Sequence, residues 1–248
     1  MAKQWVLVLT CEHGGHQIPP AYRSSLTPQE KQALPTHRGW DQGALTVALH
    51  LQKHLHSPLF AAMTSRLLVD LNRSAHHPSC LGASFRGLDA AAKESLLETY
   101  YHPYREAVEA CIRQLLLARD TAVFHLAVHS FTPELAGEVR TADLAWLYDP
   151  ARASERKWAD VLVPSFRQSL PTLRTRRNYP YQGKSDGFTR YLRQTFPVSR
   201  YAGFELEINQ SLLSTVRSQT ALAKALLPLL SPLFAPLSSG TIALFPSA

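Results

Sequence analysis

Trp5–Pro20 reads WVLVLTCEHGGHQIPP. Val6 to Leu9 is an unbroken apolar run rich in valine and leucine, the pattern of a strand buried on both faces of a parallel-type sheet. Two glycines and two prolines end it, Gly14 and Gly15 by offering unusual backbone angles and Pro19 and Pro20 by barring a central ladder. Between run and breakers stand Cys11, Glu12, His13 and His16. A strand that stops in histidines and a carboxylate directs attention to the ends of the other strands.

Further apolar segments alternate with helical patterns. DQGALTVALHLQKHL spaces Leu45, Ala48, Leu49 and Leu55 as a helix would, with Asp41 at its start. TPQEKQAL carries the capping-box pair Thr27 and Glu30. PLFAAM, RLLVDL, AVFHLAVHSF and DLAWLYDP read as strands. The segment from Leu88 to Ala118 reads as helix interrupted at Pro103. AGFELEIN sets Phe204, Leu206 and Ile208 against Glu205, Glu207 and Asn209, a strand with one polar face. Helical patterns over ERKWADVLVPSFRQSL, FTRYLRQTF and SLLSTVRSQTALAKALLPLL complete the order. Strand–helix alternation without linker or repeat predicts a single α/β domain over 1–248, a mixed, mainly parallel sheet with helices on both faces.

The 248 residues suffice for one substantial core. A hydrophobic share of 45% against 18% charged argues against disorder. The net charge of +7 favours anionic partners. The basic residues form no block beyond Arg174, Arg176 and Arg177, and no nucleic-acid-binding motif is present, so an acidic small molecule is expected rather than nucleic acid. Three scattered cysteines make no disulfide framework, and no stretch reads as a leader or membrane span. A cytoplasmic protein is expected.

In open sheets of this kind, ligands bind outside the carboxyl ends of the strands. There the sequence puts Glu12, His13 and His16; Asp70, Asn72 and Arg73; His129 and Ser130; and Glu205, Glu207 and Asn209. Imidazoles and carboxylates are zinc ligands, and a catalytic zinc leaves one position open for water. His13 and His129 are candidate ligands, Glu207 a candidate base, and Arg66 and Arg73 candidate anion holders. A nucleophilic Cys11 is the less favoured chemistry, and His76 and His77 read as an exposed loop.

Taken in order, CEHGGHQIPP, HRGWDQGA, SRLLVDLNRS, VHSFTPEL, YPYQGKSDGFTRYLR and FELEINQ resemble the N-formylglutamate amidohydrolase family from Val6 to about Leu213. The resemblance implies a phosphorylase/hydrolase-like three-layer α/β sandwich, akin to zinc carboxypeptidases and aspartoacylase. It implies one zinc ion per chain, other divalent metals also suiting such donors. It implies hydrolysis of a small, acidic N-acyl amino acid, with a carboxypeptidase-like amidase on larger peptides and a non-catalytic binder of acidic ligands as alternatives. By the same likeness Glu207 is the general base and Arg66 polarises the carbonyl. Asn72 and Arg73 hold the substrate carboxylate, with Ser130, Gly183 and Lys184 in support, and Asp186 and Tyr181 beside them. His13 and His129 match the metal histidines. The third ligand stays open between Asp41, in the shared WDQGA segment, His16, by spacing, and Glu12.

Overall fold

The computed structural model describes residues 3–237 and 240–245. In chain order it runs β1 (Gln4–Cys11), α1 (Pro20–Arg23), α2 (Pro28–Ala33), α3 (Ala44–Leu55), β2 (Leu59–Ala62), α4 (Ala90–Leu96) and α5 (His102–Leu115). There follow β3 (Thr121–Phe131), a small hairpin β4 (Glu134–Leu135) and β5 (Glu138–Val139), β6 (Leu144–Leu147), α6 (Ala153–Ser169) and β7 (Thr175–Arg177). The chain closes with α7 (Phe188–Thr195), β8 (Tyr201–Asn209), α8 (Val216–Leu230) and β9 (Ile242–Phe245). The main sheet has seven strands in the order β7-β6-β8-β3-β1-β2-β9. β8, β3, β1, β2 and β9 run parallel, whereas β6 is antiparallel to β8 and carries β7 parallel to itself.

Alternation along the central strands sorts side chains onto two faces. Leu7, Leu9, Phe124, Leu126, Phe204, Leu206 and Ile208 face one way and pack with α3, α6 and α8. Val6, Val8, Val123 and Tyr201 face the other way, under α5, α7 and the segment around Leu68 to Leu71. Helices thus cover both faces in three layers, as the alternation of patterns predicts. Among the described residues no helix is long and apolar enough to cross a membrane.

Several local expectations are met in detail. Thr27 Oγ1 accepts from the Glu30 N–H, and the Glu30 carboxylate accepts from the Thr27 N–H, so both halves of the capping box form. Pro103 starts α5 within its first turn, where its missing N–H costs nothing, and a π-turn over Leu97–Tyr101 joins that helix to α4.

Arg66–Leu71 is not the strand that its apolar content suggests. It forms turns, with Leu68 N–H donating to Ser65 O and a single bridge from Val69 to Leu81. Leu68, Val69 and Leu71 are buried all the same; core burial rather than sheet pairing accounts for their apolarity. Neither Gly14 nor Gly15 has a positive φ. They are needed for close approach, because a Cβ on Gly15 would stand 2.2 Å from Met63 O. The edge strands β7 and β9 are short and have no clear sequence pattern, Thr175–Arg177 reading as a basic cluster.

Candidate active site at the carboxyl ends of the strands

β3 and β8 pair in register with His129 opposite Glu207 and Ala127 opposite Glu205. These side chains therefore emerge on the same face at the same end of the sheet. His13 arrives just beyond β1, and its carbonyl accepts from the Asp41 N–H at 2.9 Å. Gly43, at φ 79°, turns the chain into α3 without a side-chain cap. Asp41 is thereby left free to turn inward instead of capping the helix.

Asp41 is the hub of the cluster. Its Oδ2 lies 2.8 Å from His129 Nδ1 and 3.5 Å from His13 Nδ1, while Oδ1 pairs with the Arg66 guanidinium. Each imidazole is held on its far side by a second carboxylate. His13 Nε2 is 2.7 Å from Asp70 Oδ1, and His129 Nε2 is 3.2 Å from Glu12 Oε2. One potential ligand atom from each of His13, Asp41 and His129 lies within 4.8 Å of the others. All three residues are buried, and His13 Nδ1 has no hydrogen-bond partner among the described residues.

Burial opposes the charge of every carboxylate here, and the neighbours decide the outcome. Arg66, the hydrogen bond with His129 and the nearby His13 hold Asp41 well below the usual range in spite of its burial. Glu12, also buried, is held at about 2 by His129. His129 in turn is raised well above an ordinary histidine by Asp41 and Glu12, which outweigh its desolvation. Glu207 goes the opposite way. Burial raises it to about 8, with Asp41 and Glu205 adding to the rise against the pull of His129 and Arg66. Its Oε2 has no hydrogen-bond partner among the described residues.

These groups open onto a cavity of about 430 Å³. Arg73 lines it and donates from Nη1 to Asp186 O at 3.0 Å. The Arg73 carbonyl is clamped from behind by the Tyr101 hydroxyl at 2.7 Å and by Arg105 Nη1 at 3.1 Å. Asn72 Oδ1 accepts from the Phe188 N–H at the start of α7, which leaves Nδ2 to face His129 Nε2 at 3.5 Å. Ser130 buttresses the hub: its N–H donates to Asp41 Oδ2 and its hydroxyl to Gln42 O. Tyr181 and Asp186 also line the cavity.

Three expected residues fall outside the cluster. His16 is exposed beyond the glycine turn and lies against the Trp40 ring, centroids 4.8 Å apart. Gly183 is buried against β6, where a Cβ would come within 2.2 Å of Tyr148 N, so it serves chain packing. Lys184 is exposed and faces a separate shallow depression with Asp149 and Arg190. Cys11 is buried in the opposite, apolar face, and burial pushes its thiol well up, contrary to what a nucleophile needs.

Two carboxylates have roles that the sequence did not assign. Asp70 stood among the strand-end residues, but its partnership with His13 spans 57 positions. Glu12 continues the side-chain phase of Thr10 and so drops beneath His129 rather than standing beside His13. That phase was the one available signal. Tyr104, which donates to Glu12 from 92 positions away, carried none.

A mainly parallel α/β sheet with histidines, carboxylates and a glutamate without a hydrogen-bond partner among the described residues gathered at its strand ends has the build of an enzyme site, with His13, Asp41 and His129 as a group that could hold a metal ion. The N-formylglutamate amidohydrolase family model matches residues 6–214. The chain belongs to that family. Gene product Atu2144 from Agrobacterium tumefaciens is similar in structure, with 29% identity, a TM-score of 0.79, and coverage of 92% of this chain and 89% of that one. An N-formylglutamate amidohydrolase from Ralstonia eutropha JMP134 shares the fold at 18% identity and a TM-score of 0.66, over 90% of this chain and 92% of that one. No curated protein matches.

Proposed function

We propose that the chain hydrolyses the amide bond of a small anionic N-acyl amino acid, with a divalent cation, zinc by its donor set, held by His13, Asp41 and His129. The observation that carries this reading is the convergence of those three residues beside Glu207. The donors fit such an ion. Glu12, Asp41, Asp70, Glu205 and Glu207 concentrate carboxylates around two arginines and two histidines, and His13 Nδ1 is buried without a partner. Both histidines are oriented at Nε2 by carboxylates, the arrangement that fixes the tautomer and raises the basicity of a ligating imidazole. When bound, such an ion supplies Lewis acidity and acidifies water.

The remaining roles belong to side chains of this chain. Glu207, its Oε2 free of other bonds, takes a proton from the attacking water and returns it to the leaving nitrogen. A divalent cation held beside it would favour its ionised form for that task. Arg66 lines the cavity with its guanidinium part-exposed and paired with Asp41, where it can donate to the carbonyl oxygen as charge develops there. Arg73 and the Asn72 amide receive the substrate carboxylate. The residues around Asp41 exclude bulk water and strengthen each of these interactions.

The test is to purify the full chain without chelator, measure bound metal, and assay N-formyl- and N-acetyl-glutamate and -aspartate. About one zinc per chain and turnover that chelator abolishes and zinc restores are expected. Turnover that is indifferent to chelator, or none on any N-acyl amino acid, would overturn the reading.

A further inference from the structure

The cavity is lined mostly by polar and charged groups, but one wall is apolar. On the side of β3 and β6 it is walled by Phe131, Leu135, Leu147 and Tyr181. Phe131 and Leu147 are buried, but Leu135 is 43% and Tyr181 45% exposed. Two large side chains with apolar surface thus stand open at the mouth of a site whose other walls are mainly polar and charged.

Their positions are fixed by the fold. Leu135 sits on the β4–β5 hairpin, whose turn residues Ala136 and Gly137 have φ of 52° and 83°, the positive angles of a tight two-residue hairpin turn. Pairing sets Leu135 opposite Glu138 and leaves Val139 on the outer face. At the base of the hairpin, the Arg140 N–H donates to Pro133 O. The Arg140 guanidinium lies 5.7 Å from the Phe131 ring centroid and 5.1 Å from that of Tyr181. Such cation–π contacts tie the hairpin to the loop across the mouth.

From this wall we infer that the substrate's acyl group is apolar and larger than formyl, an aryl or medium-chain alkyl group seated on Leu135 and Tyr181. The inference rests on the amidohydrolase reading and deepens it. An N-acyl amino acid has two arms about its scissile amide. The amine arm bears the carboxylate, and Arg73 with the Asn72 amide draws it to the polar side. The acyl arm is left to the apolar side. Hydrolysis breaks the C–N bond; the acyl carbon takes hydroxyl from water and the amine takes the proton, so a carboxylic acid and a free amino acid leave. A cavity of about 430 Å³ lies in the range that encloses drug-sized ligands, roughly 300–1,000 Å³.

The experiment compares N-formyl-, N-hexanoyl- and N-benzoyl-glutamate on the zinc-loaded full chain, by kcat/KM and, independently of turnover, by calorimetric affinity. The larger apolar acyl groups are expected to gain about tenfold or more over formyl, the scale of even small apolar pocket contacts. Leu135→Ser and, separately, Tyr181→Ser are expected to cut the benzoyl-to-formyl ratio about tenfold, whereas Val139→Ser leaves it unchanged. Turnover of N-formylglutamate with no gain for larger groups in rate or affinity would overturn this inference and leave the amidohydrolase reading intact. Tighter binding of the larger groups without turnover of any would do the reverse. Neither binding nor turnover would overturn both.

Discussion

The two faces of the central sheet are made from alternate residues of the same strands, yet they do different work. On one face Phe124, Phe204 and Tyr148 stack with Leu126, Leu206 and Ile208 beneath α3, α6 and α8. On the other, the same strands carry His125, His129, Glu205 and Glu207, every one buried. The apolar face gains free energy with each methylene it hides. The polar face spends some of it, since each buried charge must find a partner. The unsatisfied atoms at the site, His13 Nδ1, Glu207 Oε2, Arg66 Nε and Glu12 Oε2, all lie on the polar side. Toward the carboxyl ends of β3 and β8 the two-residue period of a strand separates packing from the candidate site, so substitutions one position apart there should have unlike consequences.

The largest contrast is expected from Glu207→Gln. Turnover should fall by about 10²–10⁴-fold, the usual worth of a positioned proton-transfer group. Zinc content and urea-unfolding midpoint should stay near those of the parent; an unchanged rate would remove Glu207 from the chemistry. Phe204→Ala, on the opposite face of the same strand, should cost about 3–5 kcal/mol of stability by leaving a cavity against Phe124. The rate per folded molecule should hold, and a specific activity that collapses with the stability would blur the division between faces.

A third test uses pH. His125 is buried with both ring nitrogens engaged, Nε2 2.8 Å from Thr10 Oγ1 and Nδ1 2.8 Å from the Tyr201 hydroxyl. Burial lowers its pKa from 6.5 to about 4. The unfolded chain therefore takes up a proton first as pH falls. The stability that His125 contributes is complete above pH 6.5 and is lost on descent toward pH 4, where the loss is about 3 kcal/mol. Denaturant titrations of the parent and His125→Gln at pH 7 and pH 4 should diverge by that amount. Parallel curves would mean that His125 titrates normally. The smallest effect is expected from Asp70→Asn, which weakens the hold on His13 Nε2. Zinc affinity should drop about 10–100-fold, the usual cost of disturbing the partner of a ligating histidine.

Much of this was legible in the sequence. The continuous apolar runs of β1 and β3 and the alternation in β8 announce buried strands of a mainly parallel sheet. The groups that follow them announce where the chemistry gathers. The alternation in β8 even separates Glu205 and Glu207 from the apolar face, although nothing local says that the polar side is buried too. What could not be read depends on contacts between distant segments. Whether Asp41 or His16 turns inward is decided by the Gly43 bend and by Ser130, 89 positions on. RLLVDL has the composition of a strand but makes only the single bridge from Val69 to Leu81 among the described residues. Gly183 and Lys184 sit in a motif beside true cavity residues, and only the close approach of Tyr148 tells them apart.

The reversed direction of β6 has a consequence for how such a scaffold diversifies. A parallel successor to β3 would have forced the chain to travel back along the sheet before re-entering it. Because β6 runs antiparallel to β8, the connection from Thr132 to Asp143 stays at the site end of the sheet and carries the β4–β5 hairpin. That hairpin can be lengthened, shortened or grafted from a relative without moving any strand out of register. One short exchangeable segment is thus the natural place for evolution, or an engineer, to reshape the mouth over an otherwise fixed polar floor.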